Sequence, residues 1–208
     1  LKAQEFCNEN SCDKAEGLCV SPNGHYMTVV SRGAVELYDL AAPDEETAFC
    51  GRISSAAIEV AAACCNDDGN AIFCTKEGPA YFARGSMYRE GMRLEWPQDE
   101  RKAKQALFSP DRQTAYLMSE RCVLQYRIGD SRPLRELSRS VQNRCMALSY
   151  DGSLIAVGGG NYDTVDGDER YGEAYVLRTD DAGMVFNCHM DDAVVYSLAF
   201  GPDGQTLY

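Results

Sequence analysis

Histidine, the side chain most often used as a general base near neutral pH, occurs at only two positions in this chain, His25 and His189. His25 follows a tight turn, and His189 stands between Cys188 and Met190 outside any catalytic motif. The sequence contains no GxxxxGK phosphate loop, no HExxH zinc motif and no GxSxG nucleophile elbow. It therefore predicts no catalytic residues and a protein that is not an enzyme.

Two neighbouring segments have residue types that could bind a charged ligand. Three glycines, Gly158 to Gly160, follow an apolar run, but no Lys and no helical segment comes next, so we expect a turn at a strand end rather than a phosphate site. The segment 161–172 concentrates carboxylates, which are the ligands that Ca²⁺ prefers. Their spacing is not that of an EF-hand, so we expect a solvated acidic loop, with calcium binding as the alternative. The candidate ligands are Asp163, Asp166, Asp168 and Glu169. No cofactor is predicted.

Ten cysteines are many for 208 residues, but their placement argues against a disulfide framework. Most lie in apolar runs where Val or Ala would serve equally, and free Cys behaves as a small buried hydrophobic residue. This favours a reducing compartment, the cytoplasm. Cys7 and Cys12 lie in a polar N-terminal leader, where pairing is the alternative. The seven cysteines in apolar runs are Cys19, Cys64, Cys65, Cys74, Cys122, Cys145 and Cys188. No CxxC pair is present, so a zinc site is not expected.

The overall charge narrows the classes of partner. The chain has 32 acidic and 20 basic residues, a net charge of −12 and a pI near 4.6, which argues against nucleic-acid binding as a function. No apolar run reaches the roughly 18–20 residues that span a bilayer, so no membrane association is expected. The start, LKAQEFCNEN, lacks the apolar core of a secretory signal.

The elements that position these residues recur along the chain. Five segments, LCVSPNG, ACCNDDG, ALFSPDR, ALSYDGS and LAFGPDG, each join an apolar run to a polar turn. Their turns end at Gly24, Gly69, Arg112, Gly152 and Gly204, so the steps are 45, 43, 40 and 52 residues. A period in the low forties indicates a repeat architecture.

Each repeat contains the pattern of four antiparallel strands. A second apolar run follows each turn and forms a hairpin with the first, a third run follows, and a fourth is more polar. Because the inner runs are continuously apolar, we expect them to be covered on both faces. This pattern predicts an all-β fold, a β-propeller of four-stranded antiparallel blades, with four complete blades and partial terminal blades. The predicted bounds are a leader with a closing or preceding strand at 1–17, blades at about 18–55, 56–102, 103–143 and 144–192, and a partial blade at 193–208.

The repeats resemble those of divergent WD-repeat β-propellers over nearly the whole chain. The S-P-N-G, S-P-D-R and G-P-D-G turns match, as does Tyr38 to Leu40, where the family often places Trp-Asp. No Gly-His pair opens a blade, and Asp39 has no acidic counterpart at Ala83, Arg127 or Arg178. The family's Asp–His–Ser/Thr–Trp network is therefore not carried over. The chain is either a segment of a longer propeller or a small ring that its N-terminal strand completes.

The resemblance implies a non-catalytic scaffold that binds protein partners, alone or within a multi-subunit complex. In such proteins, partners usually contact the loops between the second and third strands and between blades. The alternatives are a lactonase-like propeller enzyme with a bound divalent metal and a purely structural subunit of a large assembly. The candidate partner-binding residues are Arg32, Glu77, Arg121, Tyr162, Asp163 and Tyr171.

Charge is also distributed unevenly. Residues 101–144 contain ten basic and four acidic residues, whereas residues 145–208 contain two basic and eleven acidic ones. These basic residues either form a docking patch for an acidic partner or have a structural role. In the structural role they attract the neighbouring acidic blades and keep an edge strand from pairing with other chains. The representative basic residues are Arg132, Arg135, Arg139 and Arg144.

Overall fold

The computed structural model describes residues 15–208, apart from residues 32, 54–59, 77, 79, 85–90, 98–101, 140–141 and 162–170. The chain divides into two compact units, Leu1–Arg93 and Leu94–Tyr208. The described residues form four antiparallel sheets of four strands each, two in each unit, and one short helix. The predicted all-β fold is confirmed.

Unit 1 contains the first two sheets. The first has the order β1 (Ala15–Val20), β2 (Tyr26–Ser31), β3 (Ala34–Asp39) and β4 (Phe49–Ile53), with helix α1 (Glu45–Ala48) between β3 and β4. The second has the order β5 (Val60–Cys65), β6 (Ala71–Thr75), β7 (Ala80–Ala83) and β8 (Met92–Arg93). In both sheets each strand pairs with the strand that follows it in the chain.

Unit 2 repeats this order twice. The third sheet contains β9 (Ala103–Phe108), β10 (Thr114–Ser119), β11 (Cys122–Arg127) and β12 (Pro133–Arg139). The fourth contains β13 (Asn143–Leu148), β14 (Leu154–Asn161), β15 (Tyr171–Arg178) and β16 (Met184–Asp191). The chain then forms the start of another hairpin, in which Ala199 and Tyr208 exchange two backbone hydrogen bonds of 3.0 and 2.9 Å.

The turn of every repeat has the backbone conformation that the sequence predicts. Each turn-ending residue has a positive φ, and only one of the five is not glycine. The φ angles are 74° at Gly24, 71° at Gly69, 62° at Arg112, 74° at Gly152 and 65° at Gly204. Side chains at the turn entry complete the geometry: the Ser109 hydroxyl accepts a 3.0 Å hydrogen bond from the Thr114 amide. Local side-chain chemistry therefore sets these turns.

The core lies between the sheets of each unit. In unit 1, Val30, Val35 and Leu37 pack against Val60 and Phe73 of the second sheet. In unit 2, a second cluster joins the third and fourth sheets. It includes Tyr116, Met118, Val123, Met146, Ile155 and Tyr175. Strands β6 and β10 are buried along nearly their whole length, whereas β16 is largely exposed. The prediction that the inner strands are covered on both faces is confirmed.

The glycine run Gly158 to Gly160 lies inside β14, so the expectation of a turn at a strand end is wrong. The reason is close packing on both sides of this strand. A Cβ on Gly158 would lie 2.9 Å from a Leu198 methyl group, and one on Gly159 would overlap the Gln142 carbonyl. Glycine is required here because side chains next to Gly158 and backbone next to Gly159 and Gly160 leave no room for a Cβ.

Candidate functional site

The strand order brings predicted loop residues to one end of unit 2. Strand β9 starts at this end, β10 and β11 join there, β12 ends there, and β13 starts there. The Asn143 amide donates a 2.6 Å hydrogen bond to the Glu120 carbonyl and so ties the β10–β11 turn to the next sheet. The Val60 amide makes the matching 2.8 Å bond to the Gly33 carbonyl in unit 1. We call this end of unit 2 the linker end. Its residues are Lys104, Glu120, Arg121, Asn143, Arg144, Tyr171, His189 and Tyr196.

Charged and aromatic side chains occupy fixed positions at the linker end. The Lys104 ammonium lies 3.7 Å from the Glu120 carboxylate, while Arg121 is exposed. The Arg144 guanidinium donates a 3.4 Å hydrogen bond to the Gly160 carbonyl and lies 5.5 Å from the centre of the Tyr196 ring. The Tyr196 ring contacts this cation, and the residue is still 63% exposed to solvent.

The fourth sheet extends this end. Strands β14, β15 and β16 are eight residues long, and the β14–β15 pairing continues to Asn161 and Tyr171. Tyr171 stacks on His189 with ring centres 5.5 Å apart, and His189 Nε2 lies 3.5 Å from the Asp191 carboxylate. Thus the acidic segment 161–172 begins and ends in the paired strands β14 and β15.

Several predicted site residues fall outside the described residues. They are the partner-binding candidates Arg32, Glu77, Tyr162 and Asp163 and the other calcium candidates Asp166, Asp168 and Glu169. Of the partner-binding candidates, the structure places Arg121 and Tyr171 at the linker end.

The predicted basic patch is divided between the two ends of unit 2. Arg139 lies opposite Cys122 in the register, so its backbone is at the same end as Arg144. Arg132 and Arg135 lie at the opposite end, where β11 turns into β12. There Arg132 Nε is 3.0 Å from the Glu95 carboxylate, and Arg135 donates a hydrogen bond to the Asp180 carbonyl in the turn between β15 and β16.

Sequence reasoning missed the polar side chains that fasten one sheet to the next. The Gln105 amide donates to the Met146 carbonyl at 3.0 Å and accepts from the Met146 amide at 2.8 Å. In unit 1, Asp67 accepts hydrogen bonds from the backbone and side chain of Asn23 at 3.0 and 2.9 Å. The sequence does mark Gln105 as a polar residue next to an apolar run, in KQALF. It does not reveal the partner, Met146, which is 41 residues away.

A cavity of about 430 Å³ in unit 2 lies between the fourth sheet and the C-terminal hairpin. Its walls are apolar apart from Gln205. They include Leu154, Val176, Val185, Phe186, Phe200 and Leu207. A catalytic or specific ligand-binding site needs several polar groups that point at the ligand, and Gln205 is the one polar side chain among the described residues that line this cavity. Within the described ranges, no three His, Cys, Asp or Glu side chains lie close enough together to hold a metal ion.

The structure resembles solved β-propellers. It matches the structure titled "Structure of Dos1 propeller" with a TM-score of 0.69 and 14% identity over 92% of this chain and 51% of that one. It matches Kuenenia stuttgartiensis hydrazine synthase with a TM-score of 0.69 and 16% identity over 100% of this chain and 57% of that one. The protein is therefore a β-propeller of four-stranded antiparallel blades. The chain spans little more than half the length of these two structures.

No protein-family model and no curated protein sequence matches the chain. In the described part of the chain, no helix is both long enough and apolar enough to cross a membrane.

Proposed function

We propose that the chain is a non-catalytic, WD-repeat-like scaffold that binds a protein partner through the linker end of unit 2. The observation that carries this proposal is the exposed Tyr196 ring held against Arg144 beside the β10–β11 turn. Tyr and Arg are the residue types that most often dominate the binding energy of protein interfaces.

The backbone at this end supports the proposal because it is held in place before a partner arrives. The Glu120 carbonyl is bonded to Asn143, and the Gly159 carbonyl accepts a 3.1 Å hydrogen bond from the Val195 amide, next to Tyr196. A side chain on a fixed backbone loses less conformational entropy when it binds.

We further propose that the partner acts alone or within a multi-subunit complex in a reducing compartment, the cytoplasm. The burial of thiols supports this location, because Cys64, Cys65, Cys74, Cys122 and Cys145 are buried in strands as thiols. Thiols used as core residues suit a compartment that keeps cysteine reduced.

The test combines Arg121→Glu with Tyr196→Ser and compares the variant with the unaltered chain. The matched control combines Arg127→Glu with Tyr150→Ser, which makes the same changes at the opposite end of unit 2, where both residues are exposed. Affinity purification with chemical cross-linking from the source cells identifies and quantifies the bound proteins. We expect about a tenfold loss of the specific partner for the linker-end variant alone. Equal binding by both variants, or equal loss in both, would contradict the proposal.

A propeller enzyme of the lactonase-like type is the second candidate function. The similarity to hydrazine synthase, an enzyme by its title, favours it. Such an enzyme would hold a divalent metal, so metal analysis of the purified full chain separates the two proposals. Stoichiometric Ca²⁺ or Zn²⁺ would favour the enzyme, and its absence together with partner binding would favour the scaffold.

A further inference from the structure

The first strand directs one thiol toward the neighbouring sheet of unit 1. Cys19 of β1 pairs with Thr28 of β2, and directly opposed residues of antiparallel strands lie on the same face. Leu18 and Val20 are on the other face, where they are 63% and 44% exposed. Cys19 is half-buried on the face against which β5 packs.

The last residue of β5 brings a second thiol to Cys19. Cys65 is only 2% exposed, and its thiol donates a hydrogen bond of 3.7 Å to the Cys19 carbonyl oxygen. The two thiols also shift each other's pKa, so the two groups are close together. Because the Cys65 sulfur already lies against the Cys19 backbone, rotation of the two side chains can bring the sulfurs to bonding distance.

The proximity of the two thiols gives them different reactivity. The neighbouring Cys65 thiol lowers the pKa of Cys19 to about 7, which favours its reactive thiolate form. The Cys19 thiol and burial raise the pKa of Cys65. Burial also raises the pKa of the Cys64 and Cys74 thiols, which are both buried in the second sheet. Cys19 is thus the thiol that reacts first, and its oxidation removes the main cause of the raised Cys65 pKa, so that Cys65 can react second.

We propose that Cys19 and Cys65 are a peroxide-sensitive thiol pair that closes into a reversible disulfide between β1 and β5. The Cys19 thiolate attacks one oxygen of hydrogen peroxide, the O–O bond breaks, and the other oxygen leaves as hydroxide and becomes water on protonation. The Cys65 sulfur then attacks the Cys19 sulfenic acid, the S–O bond breaks, and the departing oxygen takes up the Cys65 proton to leave as water. Two thiols lose two electrons in total, and one peroxide becomes two waters.

The test exposes the full, reduced chain to a small molar excess of hydrogen peroxide and then blocks the remaining thiols by alkylation. Peptide mapping without reductant identifies linked cysteines. We expect a Cys19–Cys65 linked peptide that disappears when dithiothreitol is added. We also expect the oxidised chain to have a Tm several degrees higher, since the bond closes a long loop between two sheets.

Three substitutions separate this pair from general thiol oxidation. Cys65→Ser should leave a sulfenic acid at Cys19 that dimedone labels, and Cys19→Ser should leave Cys65 reduced. Cys50→Ser is the matched control, because Cys50 is also half-buried but its pKa is raised by burial; it should keep the linked peptide. The non-reducing peptide map of the unaltered chain shows whether Cys19 and Cys65 link, even if a variant fails to fold. The proposal is overturned if Cys50 or Cys188 is oxidised as fast as Cys19, or if Cys65 links to another cysteine instead.

Discussion

At the scale of single residues, the repeat depends on backbone conformation at the turns. Gly24 has a φ of 74°, and its amide donates a 2.9 Å hydrogen bond to the Ser21 carbonyl. No atom lies within 4 Å of the position that a Cβ would take, so a substitution there changes backbone strain alone. Arg112 adopts the same conformation in the third repeat without being glycine, so this turn carries strain that the others avoid.

Gly24→Ala should therefore reduce the free energy of unfolding by about 1 kcal/mol, because an L-residue in the left-handed region is strained. Gly17→Ala is the matched control, since its Cβ would make an ordinary contact of 3.8 Å with Val30 and its φ lies outside that region. Urea denaturation of both variants measures the difference. Equal destabilisation by the two substitutions would refute the role given to the turn.

The carboxylate of the last turn has a second measurable effect at this scale. Asp203 accepts hydrogen bonds from the amides of Gln205 and Thr206, and the Thr206 hydroxyl and these amides lower its pKa from 3.8 to about 2. A carboxyl with a lowered pKa stabilises the fold above pH 4, and this stabilisation is lost as the pH falls toward 2.

We therefore expect the Tm to fall between pH 4 and pH 2, and to fall less in Asp203→Asn, which cannot change charge. Thermal unfolding across this range measures both. If the variant has the same pH dependence as the unaltered chain, the Asp203 hydrogen bonds do not stabilise the turn.

At the scale of strands and sheets, side-chain amides bind one sheet to the next. Gln105 makes two hydrogen bonds to the backbone of Met146, so β9 and β13 are held in one register. A side chain of similar shape that cannot form hydrogen bonds, in place of Gln105, leaves the backbone N–H and C=O of Met146 without that partner. The loss of such bonds in a half-buried position costs about 1–3 kcal/mol.

Gln105→Met should lower the free energy of unfolding by that amount, whereas Gln113→Met, the same change at an exposed turn position, should leave it unchanged. Chemical denaturation monitored by tyrosine fluorescence measures the two. A neutral Gln105→Met would show that apolar packing alone joins the third and fourth sheets.

The extended β14–β15 hairpin provides a binding prediction at this scale. Simultaneous substitution of Tyr162, Asp163 and Tyr171 by Ser should weaken binding of the protein partner. The Tm should stay nearly unchanged, because Tyr171 is only half-buried and stacks on the exposed His189. A pull-down with the variant and a thermal melt measure these effects. Unchanged binding would show that the hairpin does not contribute to the interface.

The strands and turns could be predicted from the sequence because their signals are local. The apolar run and the polar turn at Ser109 to Arg112 identify a hairpin without knowledge of any distant residue. The division of the basic residues could not be predicted in this way: Arg135 and Arg139 are four residues apart on one strand, yet they lie toward opposite ends of unit 2. The position of Tyr196 beside Arg144 depends on how the segment after β16 packs, which no local pattern encodes.

At the scale of the whole molecule, a β-propeller fold presents the proposed binding surface. The fold is established by four sheets with one strand order and by the two solved propellers that resemble them. The linker end of unit 2 is the proposed surface because exposed aromatic and basic side chains lie there on hydrogen-bonded backbone. At the opposite end, Arg132 and Arg135 already contact Glu95 and Asp180 of the same unit.

Photocrosslinking measures which end of unit 2 contacts a partner, with one photoreactive amino acid replacing Tyr196 of the full chain in one sample and Tyr150 in another. Both side chains are highly exposed, at 63% and 79%, but they lie at opposite ends of unit 2. After irradiation in the source cells, we expect a discrete protein adduct from position 196 and none from position 150. An adduct only from position 150, or the same adducts from both, would show that the linker end is not the partner-binding surface.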